Sequence, residues 1–144
     1  MALRHALLGP DGRRMLTDEV TTRTARIILD PGRHLFHLTV TPGAEVELAD
    51  AEENLAHIPN EGRWGVLVDS RGLKSMSAAA RRRYGVHTGG AVALAIVIDS
   101  PVSRIIGNFF LRFNSPAYPS RLFTDIDAAR AWLEELYFLP ASTS

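Results

Sequence analysis

Residues 91–98 read AVALAIVI, eight apolar positions without a polar interruption. A strand with one wet face alternates polar and apolar residues. An unbroken apolar run predicts a strand covered on both faces, in the middle of a sheet. It is followed by Asp99-Ser100-Pro101, a capping serine with proline at the first helical position. From there Val102, Ile105, Ile106, Phe109, Phe110 and Phe113 recur at spacings of three and four, which predicts a helix over 101–113 with those six side chains facing inward.

The flanking segments fall into place around this strand and helix. Residues 25–29 (ARIIL) and 35–41 (LFHLTVT) read as strands joined by the turn Asp30-Pro31-Gly32. In the second, Phe36, Leu38 and Val40 share one face. Leu48, Ala51, Leu55 and Ile58 recur at helical spacing and predict a helix that Pro59, Asn60 and Gly62 stop. Residues 64–68 (WGVLV) read as a buried parallel strand. A second helix is expected to start near Ser75, with Met76, Ala79, Ala80 and Tyr84 inward and Arg81, Arg82 and Arg83 in its last turn, where cations suit the helix dipole. A short strand over 121–123 precedes a last helix capped by Thr124 or Asp125, with Ile126, Ala129, Leu133 and Leu136 inside.

The expected order is ββαβαβαβα. Alternating strands and helices with short links imply an α/β fold with a mainly parallel sheet covered by helices. At 144 residues the chain fits one domain. That domain is placed at residues 21–140, after a loosely attached extension over 1–20 with turn residues Gly9, Pro10, Asp11 and Gly12.

Composition narrows the function. There are no cysteines, so disulfides and thiolate metal sites are excluded. Sixteen basic residues balance sixteen acidic ones, which argues against general nucleic-acid binding. No apolar run reaches the ~18 residues of a membrane span, and residues 6–8 are too short for a signal core. A cytoplasmic location is the expectation. Charge is nevertheless segregated. Glu45, Glu47, Asp50, Glu52, Glu53 and Glu61 occupy a stretch without cations, and Arg63, Arg71, Lys74, Arg81, Arg82 and Arg83 a stretch whose one acid is Asp69. Such a pattern suits electrostatic steering of a protein partner, and equally two solvated helix faces.

The ordered set Gly43-Ala44-Glu45-Val46, Val66-Leu67-Val68-Asp69 with Gly72-Leu73, Asp99-Ser100-Pro101-Val102-Ser103-Arg104, and Leu122-Phe123-Thr124-Asp125 followed by Ala128, Ala129 and Trp132-Leu133 resembles STAS domains of the SpoIIAA-like fold. It covers most of residues 24–133. The resemblance implies a non-catalytic regulatory interaction module akin to anti-sigma-factor antagonists, with an anti-sigma or kinase-like partner. It aligns Ser77-Ala78-Ala79-Ala80 with the phosphorylation motif of that family. Ala79 then stands at the serine position and cannot accept phosphate. Ser75 or Ser77 would have to substitute, and both read equally as helix caps.

Ligands on parallel sheets sit outside the carboxyl ends of strands. Asp69, Ser70, Arg71, Asp99 and Ser100 are therefore the candidate partner or ligand residues, with Ser75, Ser77, Arg82 and Arg83 on the neighbouring helix. Ser70 lacks a nucleophile elbow, and no histidine, His87 included, lies close to it in sequence. His5, His34, His37, His57 and His87 are too scattered to suggest a metal, and neither an enzyme nor a cofactor is indicated. The alternative to a regulatory module is a small-molecule or lipid binder, with Phe109, Phe110 and Phe113 bordering an apolar groove. A homodimer through Tyr137-Phe138-Leu139 is a further expectation.

Overall fold

A computed structural model describes residues 2–8, 14–86, 89–113 and 118–138. Side chains at 2–17, 109–111, 113, 137 and 138 are outside that description. The expectations placed on the turn at 9–12, on His5 and His87, on Phe109, Phe110 and Phe113 as a groove border, and on the 137–139 contact fall outside the described residues.

Seven strands form one sheet. In chain order the elements are β1 (Ala2–Leu8), β2 (Arg14–Thr21), β3 (Ala25–Asp30), β4 (Leu35–Val40), β5 (Ala44–Val46), α1 (Leu48–Leu55), β6 (Trp64–Asp69), β7 (Leu73–Met76), α2 (Ala78–Tyr84), β8 (Ala91–Val97), α3 (Pro101–Phe113), β9 (Ser120–Phe123) and α4 (Ile126–Phe138). The large sheet runs β1-β2-β3-β4-β6-β8-β9. β4, β6, β8 and β9 are mutually parallel, and β1 to β4 form an antiparallel wing. The α/β class with a parallel centre is as expected. β8 lies between β6 and β9 and is buried at every position but one, as its unbroken apolar run requires.

Period-two alternation splits the core into two layers. Phe36, Leu38, Val66, Leu94 and Ile96 point to one face, where Ala51 and Leu55 of α1, Ala80 of α2 and Ile106 of α3 cover them. Leu35, Leu67, Ala93, Ala95 and Val97 point to the other, under Ala129 and Leu133 of α4. Asp125 caps α4 by accepting from the Ala128 N–H at 3.2 Å.

Four expectations are corrected. Residues 2–8 and 14–21 are not a loose extension: β1 pairs with β2, and β2 with β3, continuing the sheet. The first helix ends at Leu55. His57 and Ile58 close with three-residue bonds to Asn54 and Leu55, because Pro59 disfavours helical backbone before it. Ser75 does not begin a helix. β7 pairs in parallel with β5 and holds the chain extended through Met76, so the N-cap of α2 is Ser77, whose hydroxyl accepts from Ala80 N–H at 3.1 Å. Finally, α3 occupies residues 101–113 as predicted, but Val102 and Ile105 are 38% and 63% exposed. The helix seats on Ser103, Ile106 and Gly107. A Cβ at Gly107 would stand 2.7 Å from Leu122 Cδ2, so this close approach sets the rotation that leaves Val102 and Ile105 outside.

Candidate functional site

The carboxyl ends of the parallel strands hold polar residues that bind one another. The Asp69 carboxylate receives the Arg71 guanidinium in a two-pronged pair at 2.9 and 2.8 Å, and the Arg71 N–H at 3.2 Å. Burial pushes the Asp69 carboxyl upward, but the bonds from Arg71 outweigh it and hold the group below its ordinary range. Ser70 is buried and donates to the Val97 carbonyl at 2.7 Å, bracing β6 against β8. Ser100 and Ser103 bond each other's hydroxyl and backbone N–H groups and close the start of α3. Asp99 is exposed.

The two charge blocks pair rather than stand apart. Arg83 donates to Glu52 at 3.0 Å across the α1–α2 contact, and Lys74 lies 3.6 Å from Glu45 across β5–β7. Arg23, outside both blocks, binds the buried Asp50 carboxylate and holds it below its ordinary range. Arg82 is exposed at the end of α2. Direct ion pairs thus engage Glu45, Asp50 and Glu52 of the acidic stretch and Arg71, Lys74 and Arg83 of the basic one. Among the described residues no three His, Asp or Glu side chains converge as a metal site would require. No helix among them is long and apolar enough to cross a membrane.

The feature that sequence reasoning missed lies inside the first core layer. Between the sheet and the layer formed by α1, α2, α3 and the β5–β7 pair is a cavity of about 80 Å³. Its floor is Phe36, Leu38, Val66, Val68, Leu94 and Ile96 of the sheet. Protein interiors are close-packed, and a single water needs only ~10–15 Å³ on such a measure. Val68 shows the consequence: it sits on an interior strand, yet keeps partial exposure while Val66 and Leu67 beside it are buried. Val86 lines the cavity and is 60% exposed, so the cavity reaches the surface beside it.

Among the described residues the wall contains no Asp, Glu, Lys, Arg or His. Its polar members are Thr24, Asn54, Ser70, Tyr84 and Tyr118. Asn54, 2% exposed, organises one end: its Oδ1 accepts from Thr22 Oγ1 at 2.7 Å, and its Nδ2 donates to Thr24 Oγ1 at 3.2 Å and to the Tyr84 hydroxyl at 3.1 Å. Burial raises the Tyr84 and Tyr118 phenols above their ordinary range, so both stay protonated at neutral pH. The inward face of residues 36, 38 and 40 was visible in the sequence. That the helices stand off it was not, because spacing encodes which residues point inward and not how far apart the layers lie.

A family described as Domain of unknown function (DUF7793) matches residues 31–137. No curated protein and no solved structure matches the chain. The resemblance to STAS domains is thereby overturned, since the family that matches is a different one. The segments that carried it are strand ends, capping residues and inward helix positions. Those are features that α/β domains share for physical reasons whatever their ancestry.

Proposed function

The chain belongs to the family described as Domain of unknown function (DUF7793), and we propose that it is a binding protein for a small, mainly apolar molecule held in the cavity between the sheet and α1–α3. The observation that carries this reading is the cavity itself: about 80 Å³, an apolar floor and an opening beside Val86. An unfilled space of that size forgoes roughly 2 kcal/mol of packing at ~24 cal/mol per Å³. That is a sizeable share of a stability of ~5–15 kcal/mol. A ligand that fills the space recovers it. The size suits a short alkyl segment, being about half of an engineered apolar cavity of ~150 Å³ that takes up benzene.

1-Hexanol is the probe. Titrated into the protein, it should shift the amide NMR signals of Val68, Leu94 and Ile106 and leave α4 unmoved. It should also raise the unfolding midpoint as mass action requires. Val68→Phe fills the floor from an interior strand and should abolish both effects while the protein stays folded. Absence of any shift up to the solubility of the alcohol would defeat the proposal.

A further inference from the structure

We propose, resting on the cavity reading above, that the ligand is electrically neutral and carries a hydroxyl or carbonyl oxygen that meets the Thr24–Asn54–Tyr84 part of the wall. Two observations carry this.

The first is charge. Among the described residues, no ionisable acid or base other than the two tyrosines lines the cavity. A carboxylate or ammonium carried inside would lose its water without gaining a counterion, which is among the costliest burials a protein can make. The ion pair nearest this end gives no help to an anion. Arg23 is committed to Asp50 and to the Glu45 carbonyl, and Arg83 is bound to Glu52.

The second is hydrogen-bond capacity. A threonine hydroxyl offers one donor and two acceptor positions. Thr24, 1% exposed, spends one acceptor position on Asn54 Nδ2. Both amide hydrogens of Asn54 go to Thr24 and Tyr84, and its oxygen accepts from Thr22. Asn54 therefore fixes the Thr24 oxygen in place without exhausting it. A ligand hydroxyl can donate to that oxygen, and a ligand carbonyl can accept from it. A purely apolar molecule would leave this capacity unused, and a site built for a polar group discriminates sharply on its presence.

The test compares 1-hexanol, hexanoate and hexylammonium at pH 7.5 by NMR titration, with xenon as a probe that has no polar end. The expected result is that 1-hexanol binds at least tenfold more tightly than either ion, and that Thr24→Val weakens 1-hexanol at least fivefold while xenon uptake is unchanged. Thr24→Ser, which keeps the hydroxyl, should restore the alcohol's affinity. Hexanoate binding as tightly as 1-hexanol would place the head outside the mouth and overturn this inference while leaving the cavity reading intact. Unchanged 1-hexanol affinity in Thr24→Val would overturn it as well. Failure of all four probes, xenon included, would instead sink the cavity reading. If Thr24→Val does not fold, the ligand series in the unaltered protein decides alone.

Discussion

Replacing Asn54 with leucine keeps the branched side-chain shape and removes the polar bonds that Asn54 makes beside the cavity. Three hydrogen bonds are lost, to Thr22, Thr24 and Tyr84. A buried hydrogen bond is worth about 1 kcal/mol net, and a buried partner left unsatisfied costs about 1–3 kcal/mol. Thr22 is partly protected, because its hydroxyl also lies 3.3 Å from the Ala25 carbonyl. Thr24, whose hydroxyl is bonded to Asn54 alone, is less so. The expected loss is about 2–4 kcal/mol, read as a lower urea midpoint at unchanged slope. The same accounting makes a less obvious demand. Thr24→Val added to Asn54→Leu removes the stranded Thr24 hydroxyl, so the double variant should regain about 1 kcal/mol of the loss. Partners deleted together are cheap where one deleted alone is not. A single-variant loss under about 1 kcal/mol, or a double variant at the sum of its parts, would refute the reasoning.

Two further outcomes follow from the packing. His37 lies on the sheet face beside α4, where burial first and Arg130 next hold its imidazole below the ordinary value near 6.5. The unfolded chain therefore takes up that proton before the folded one does, so stability should fall as pH drops through about 6.5 towards the folded value, and His37→Gln should flatten that slope; an identical slope in the variant would contradict the assignment. At Gly72 an added Cβ would stand 2.7 Å from the Val40 carbonyl oxygen and 2.9 Å from Pro42 Cα, both backbone. Gly72→Ala should cost about 1–3 kcal/mol and lower Tm by at least ~4 °C, and a Tm within 1 °C of the parent would show that the turn yields freely.

How much of this was legible depended on length and period. The eight apolar residues at 91–98 and the three- and four-residue spacing at 101–113 gave β8 and α3 almost to the residue, because each pattern runs long enough to admit one geometry. β5 and β7 are three and four residues long. In β7, Lys74 and Ser75 are exposed, so no apolar stripe marks the strand and the serines read as a helix start. Their extended form comes from pairing with each other across 29 residues of chain (Ala44 with Leu73), which local patterning does not encode. The inward assignment of Val102 and Ile105 failed for a related reason. Spacing defines an apolar arc, but the glycine at 107 chooses which part of that arc meets the sheet.

The carboxyl ends of the strands drew attention for a sound reason, since they are where parallel sheets collect polar residues. What a polar residue can still do depends on where its hydrogen bonds already go. Asp69 is occupied by Arg71, Ser70 by the Val97 carbonyl, Ser77 by the first turn of α2, and Ser100 by Ser103. Each stabilises the backbone at a strand end or a helix start. Thr24 borders the cavity, as Ser70 does, but its hydroxyl accepts from Asn54 while its own hydrogen is not spent on a backbone carbonyl as that of Ser70 is. A buried hydroxyl with capacity to spare lowers stability unless something uses it. Its place beside an apolar cavity that also weakens packing puts two costs at one point of the fold. Each is relieved by the same act, the entry of a neutral molecule with one polar end.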